Sequence, residues 1–431
     1  MKLTRRRLLM GLSAASAAAL SACTGSNGPS GSNGSNPGAV SGSGELSGEI
    51  TFQTWSLKDD RFTPYFEALI KAFQDDNPGT TINWIDQPGD GYEEKILQQA
   101  NSGELPDVIN LPEGFAYKLA QVSQLLDLRA ADADILGTYV QGGLDAYTYD
   151  GIEGVYGYPW YLGTDVCWWN TEMLEQAGLS PEDAPADLDA YIDWCTTAAD
   201  KGVYLASTMP GLMEIRDYGV EIFDGTQFTF NTDRAAQIVG KYAELYRAGA
   251  MPSEVLNDDY AGNATMYTQE KVGYTTATGS FVTQLTNDAP TLLDKTDCSA
   301  RFTTPPLYIQ GITVAANSGN PALALAFAQY VTNNENQVAF VKIAQGFMPG
   351  TLAGNNDPES FTGDVSDPLM KKAIELAAAA MPDAETVKPV QYTDDMSTYT
   401  QQQIALAMKG DLSPKEALDA AVAYCNENLN V

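Results

Sequence analysis

Histidine is absent from all 431 residues. Its absence removes the commonest general base, the Ser-His-Asp and Cys-His constellations, and most zinc sites. Basic residues are scarce: 24 Lys and Arg stand against 56 Asp and Glu, a formal charge of -32. A body so acidic repels polyanions, so no nucleic acid is expected as a partner, and anionic lipid would not attract it. A solvated acidic surface that keeps the chain soluble is a sufficient reason for the charge. There are no CxxC pairs, no Walker loop and no GxSxG. Neither the acidic stretch 86–90 nor 357–367 has the spacing of a calcium loop, so no metal and no cofactor are expected. Beyond residue 20 no apolar run is long enough to cross a bilayer.

The N-terminus is where apolar and basic residues do concentrate. Lys2, Arg5, Arg6 and Arg7 precede an Ala-rich apolar run to Leu20, then Ser21, Ala22 and Cys23. This is a charged n-region and a short h-region, followed by small residues and a Cys, which reads as a lipoprotein signal with cleavage before Cys23. Three adjacent Arg also suit a twin-arginine signal, and the export route stays open. Loss of the four basic residues of 1–22 takes the charge from -32 to -36. From residue 24 to 47 the chain is mostly Gly, Ser, Asn and Pro, too polar to offset the entropy of ordering. Such a coil spans on the order of 25–30 Å, a tether between a lipid on Cys23 and a folded body.

From Gly48 the chain exceeds one ordinary core and calls for two lobes. Residues 49–55 read as a strand ending in Trp55, and Phe62, Tyr65, Phe66, Leu69, Ile70 and Phe73 form one stripe of a helix. Asn77-Pro78-Gly79 ends it before a strand at 81–85, which implies a βαβ unit and a mostly parallel sheet. Helix and strand keep alternating, with strands at 107–111, 166–169, 203–207, 271–276 and 312–315. Ser413-Pro414-Lys415-Glu416 opens the last helix as a capping box. The expected fold class is α/β, two doubly wound lobes. Ligands of such sheets sit outside the carboxyl ends of the strands. Cys167, Cys195, Cys298 and Cys425 allow three disulfide connectivities or four buried thiols.

From Gly48 to Leu429 the chain resembles the extracellular solute-binding proteins of ABC transporters, in the carbohydrate-binding branch that includes maltose-binding protein. The resemblance rests on the strand ending at Trp55, Phe73-Gln74-Asp75-Asp76-Asn77-Pro78-Gly79, Gly103-Glu104-Leu105-Pro106-Asp107-Val108 and Gly157-Tyr158-Pro159. It continues in Trp168-Trp169-Asn170, Phe230-Asn231-Thr232-Asp233, Gly279-Ser280-Phe281, Gly346-Phe347-Met348-Pro349 and the run 409–418. It implies two α/β lobes joined by a hinge with several crossovers, as in class II periplasmic binding proteins. Crossings are expected near 161–165, 303–306 and 346–351. The lobes would be 48–162 with 306–348, and 163–305 with 349–431. The implied function is capture of a mono- or oligosaccharide in the cleft and its delivery to permease subunits. The expected protein is a monomer anchored outside the cell membrane.

A sugar presents C–H faces and a rim of hydroxyls, so its site needs flat rings and short polar groups. Trp55, at a strand's carboxyl end, is expected to touch ligand. Glu113 follows the 107–111 strand and could accept two hydroxyls, or merely start a helix. Trp160 and Tyr161 flank the first crossing, with hinge packing as the alternative. By the resemblance, Gly279, Ser280 and Phe281 hold the place of a sugar-stacking aromatic; Phe281 stands where a Trp is frequent, which removes an indole donor. Phe347 and Tyr392 are further candidates, and Tyr399 is expected in the core. Of Trp168 and Trp169, alternate on a strand, only one could reach a cleft.

No catalytic residue is assigned. A surface carbohydrate-active enzyme would need two carboxylates ~5–10 Å apart, and no pair stands out among 56 acidic residues. The other alternative keeps the fold with a peptide, polyol or glycerol phosphate as ligand.

Overall fold

In the computed structural model, residues 46–256, 260–386 and 388–429 are described, and all of them fall in one compact unit. The signal segment, Cys23 and the tether up to residue 45 lie outside the described residues. Leu46 and Ser47, expected to close the tether, are already docked. Leu46 packs on the larger core, and the Ser47 carbonyl accepts from Asn320 Nδ2 at 2.7 Å.

The first βαβ unit forms as its pattern predicts. β1 (Gly48–Trp55) leads into α1 (Thr63–Asp76), which buries Phe66, Leu69, Ile70 and Phe73, and β2 (Thr80–Gln87) returns parallel to β1. α2 (Tyr92–Ser102) and β3 (Val108–Leu111) follow, β3 also parallel to β1. α3 (Glu113–Gln121) starts two residues earlier than the apolar pattern suggests, directly at the end of β3. β4 (Tyr158–Gly163) and β8 (Pro306–Val314) then add antiparallel strands, so the sheet is mixed, in the order β2-β1-β3-β8-β4-β9 with β9 (Met348–Pro349) at the edge.

A second sheet holds β5 (Val166–Asn170) between β6 (Tyr274–Ala277) and β7 (Thr296–Ser299), antiparallel throughout. The 203–207 stretch, expected as a strand, makes no ladder; it runs beside the sheet with one bond, from Gly273 N–H to the Tyr204 carbonyl at 2.8 Å. Trp168 and Trp169 are both fully buried, one on each face of β5 and each in a different hydrophobic cluster. Neither reaches a cleft. The four described cysteines are buried, unpaired thiols.

Two residues, Thr164 and Asp165, carry the chain from the first sheet to the second, and both are fully buried. The return runs from β7 to β8. Tyr161 pairs with both Gln310 of β8 and Pro349 of β9, so these three strands lie side by side, the β8 contact falling beyond the 303–306 stretch. β10 (Glu385–Thr386) adds to the start of β8. The last helix, Pro414–Glu427, carries the capping box between Ser413 and Glu416.

Candidate functional site

Because β1 and β3 run parallel in register, their carboxyl ends lie together. Trp55, the last residue of β1, is half-buried against Tyr92 (5.1 Å between centroids) and Phe115 (6.0 Å). The chain turns sharply after it: Ser56 takes φ 52°, a left-handed conformation rare for a side-chain-bearing residue. Asp86 holds that turn by accepting from Thr54 Oγ1 (2.6 Å) and from the Leu57 N–H (3.1 Å).

At the end of β3, Glu113 opens α3. Tyr147 donates to the Leu111 carbonyl (2.6 Å) and Tyr149 to the Glu113 carbonyl (2.8 Å), bracing this corner. Burial pushes the Glu113 carboxyl up, while its own backbone N–H and the Lys388 charge hold it back in part. Beside Tyr149 opens a cavity of about 510 Å³ lined also by Asp150, Arg216, Phe223, Glu385 and Lys388. It joins residues near the first sheet to the segment after β10.

A second cavity, about 450 Å³, lies at the crossing strands, lined by Thr278, Ser280, Phe281, Gln284, Tyr308 and Phe347. The glycines here answer to close approach. A Cβ on Gly346 would sit 2.5 Å from Ser280 N, and φ there is +101°. A Cβ on Gly279 would press Ile374 at 3.0 Å. Ser280 Oγ lies 2.8 Å from Thr278 Oγ1, and Phe347 rests its half-buried ring on Tyr161 at 5.1 Å.

Three candidates belong to cores instead. Trp160 is 0% exposed, packed on Phe340 (4.5 Å) and Phe66 (6.0 Å), because α1 and helix Asn334–Ile343 close over that face of β4. Phe281 is 2% exposed, its ring between Trp168 and Tyr267; it borders the cavity but offers no open face for stacking. Tyr392 is 4% exposed and packs on Phe228 at 5.8 Å in the second core. Trp55, Glu113, Tyr161, Ser280 and Phe347 remain partly open, and Gly279 serves the close packing.

Sequence reasoning missed a buried charge network at the crossings. Arg301 lies 2.7 Å from Asp217 Oδ2 and 3.6 Å from Asp165 Oδ2, while Arg216 pairs with Asp217 Oδ1 at 2.5 Å. Tyr308 donates to Asp165 Oδ2 at 3.1 Å, which ties a cavity residue to the network. Burial raises the Asp217 carboxyl against the pull of Arg301 and Arg216. Burial alone would lower Arg301, but Asp217, Tyr274 and Asp165 more than compensate and keep it charged. The available signal was position: Asp165 stands at an expected crossing and Arg301 just ahead of the next.

Among known proteins, the lactose-binding protein of Rhizobium radiobacter is 25% identical over 290 residues, 64% of this chain and 65% of that protein. A protein of Escherichia coli (strain K12) named as an ABC transporter periplasmic-binding protein is 28% identical over 30% of this chain and 31% of its own length. The chain thus spans less than two thirds of the length of these relatives. Among solved structures, the cyclic alpha-maltosyl-1,6-maltose binding protein of Arthrobacter globiformis superposes with a TM-score of 0.72 at 19% identity, covering 89% of this chain and 99% of that one. The GacH receptor of Streptomyces glaucescens, solved unliganded and with acarbose, gives 0.68 at 17%, also over 89% and 99%. These two establish the fold. The profile of the bacterial extracellular solute-binding proteins matches residues 68–372, well over half of the chain, and with two α/β halves meeting at crossing strands the protein belongs to that family.

Proposed function

We propose that the protein captures a neutral mono- or oligosaccharide in the cleft between its two halves, 48–162 with 306–348 and 163–305 with 349–431, and delivers it to an ABC permease. It is exported, held outside the membrane by a lipid on Cys23, and makes no bond chemistry of its own. The observation that carries this reading is the set of partly open rings and short polar groups at the cavity by the crossing strands, Phe347 and Tyr308 with Ser280 and Thr278, with the Tyr161 ring against Phe347. Cavities of about 510 and 450 Å³ lie in the range that small ligands occupy. The basic groups nearby are engaged: Arg301 and Arg216 with Asp217, and Lys388 with Asp394 at 3.6 Å. That counts against a phosphate ligand. The sugars named for the relatives point the same way.

The test is a thermal-shift series with lactose, maltotetraose and acarbose. A ligand at about 100 times its Kd stabilises the native form by about 2.7 kcal/mol, so a binding sugar raises Tm by several degrees. A flat response to all sugars, with a rise for a peptide or glycerol phosphate, refutes the carbohydrate assignment. The half-buried Glu113, whose carboxyl is pushed up chiefly by burial, supports one rival, an enzyme with Glu113 as acid. Glycan turnover lost on Glu113→Gln would establish it.

A further inference from the structure

Asn110, on β3, is fully buried, and its amide nitrogen donates twice: to the Gly311 carbonyl at 3.3 Å and to Gln310 Oε1 at 3.0 Å. A backbone carbonyl only accepts, so the Gly311 contact fixes which end of Asn110 faces β8. Gln310 must then turn its oxygen towards Asn110 and its NH2 away. Asn110 Oδ1 is left without a partner among the described residues, a cost that native cores rarely tolerate without a functional reason.

The side of the sheet on which Gln310 stands follows from the strand. In the first half of β8, Leu307 and Ile309 are buried while Tyr308 and Gln310 are half-buried, so these two share the open side. Gly311 is the register partner of Leu111, the last residue of β3, which puts Gln310 just beyond the carboxyl end of that strand. Across β8, Gln310 pairs with Tyr161. Tyr161 carries Phe347, and Phe347 and Tyr308 line the cavity at the crossings.

We propose that Gln310 is a ligand-orienting residue whose NH2 donates to an acceptor oxygen of the bound sugar, and that Asn110 is a positioning residue that sets its amide orientation. This assignment rests on the carbohydrate reading above. A neutral, oriented NH2 favours a sugar with a hydroxyl or ring oxygen at that place over the deoxy analogue, without adding charge to the cleft.

The experiment is calorimetric titration of the whole mature chain with the sugar that gives the largest thermal shift among lactose, maltotetraose and acarbose. Gln310→Glu keeps the shape but replaces the donor with acceptors, and affinity should fall about tenfold or more with Tm little changed. Asn110→Ser should lose a similar factor, and in a Gln310→Met background it should cost nothing further, because it acts only through Gln310. Additive losses, or an unchanged affinity for Gln310→Glu, overturn the proposal. Should Asn110→Ser not fold, the Gln310 variants alone decide the donor role. In the free protein, the side-chain NH2 resonances of Gln310 should move in Asn110→Ser; unmoved resonances refute the positioning role even if binding is intact. If the unmodified protein binds none of the three sugars, the carbohydrate reading fails and the donor role with it, while those resonances still decide how the two amides are wired.

Discussion

Trp160 is enclosed by Phe66, Tyr161 and Phe340, whereas Trp55 keeps part of its ring open beside Tyr92 and Phe115. Truncating an enclosed aromatic removes its burial and leaves a cavity, so Trp160→Ala should cost about 3–5 kcal/mol in denaturant unfolding. Trp55→Ala should leave the melt nearly in place and weaken the best-binding sugar at least tenfold by calorimetry. An unchanged titration curve would remove Trp55 from the site. Glu113 separates stability from function in the opposite sense. Its folded carboxyl titrates above the usual carboxylate range, chiefly through burial, so the native state holds its proton longer than the unfolded chain does. Its contribution is therefore favourable at acid pH and lost as pH rises through the raised value. Glu113→Gln should raise Tm at pH 7, with the gain shrinking towards pH 4, while sugar affinity at pH 7 falls. A loss of Tm at neutral pH would show that the carboxylate is structurally required.

The crossing segments are fixed by backbone contact and by buried charge. Gly346 combines a left-handed φ of +101° with a neighbour 2.5 Å from any added Cβ, so Gly346→Ala should be destabilising by more than the roughly 1–2 kcal/mol of backbone strain alone, read from urea midpoints. Arg301→Met removes the buried cation that answers both Asp165 and Asp217, leaving Arg216 on Asp217 and the Tyr308 hydroxyl on Asp165, and unfolding should ease by about 3–5 kcal/mol. These elements also show what could be read beforehand. The stripe from Phe62 to Phe73 and the Ser413 box gave α1 and the last helix, because their signals are local periodicity and capping. The 203–207 stretch has the β-branched and apolar content of a strand, yet its tie to the sheet among the described residues is the Gly273 N–H on the Tyr204 carbonyl; ladder formation depends on a neighbour that is remote in the chain. The antiparallel course of the second sheet has the same origin.

Across the molecule, a charge of -32 makes self-repulsion a term in stability. Raising salt from about 0.01 M to about 1 M shortens the screening length from about 30 to about 3 Å, so Tm should climb steadily over that series. A fall would mean that attractive surface pairs outweigh the repulsion. At this scale the α/β class was legible, since it rests on the order of elements, whereas the crossings were expected only from the family resemblance. The site was only partly so: Trp160, Phe281 and Tyr392 have the residue types of a sugar platform, and only packing from distant helices decides that their faces are covered. Arg301, Asp217 and Tyr308 meet from three separate stretches, and nothing local announces their encounter.

The four described cysteines divide unevenly between the two hydrophobic clusters: Cys298 lies in the larger, and Cys167, Cys195 and Cys425 in the smaller. Burial pushes Cys195 and Cys298 up to about 12 and Cys425 up to about 11, so none reacts as a thiolate while the fold is intact. An alkylating reagent added during heating or denaturation would mark each cysteine only as its surroundings open. Peptide mass spectrometry then gives each of the two hydrophobic clusters its own unfolding clock, installed by nature and needing no engineered label.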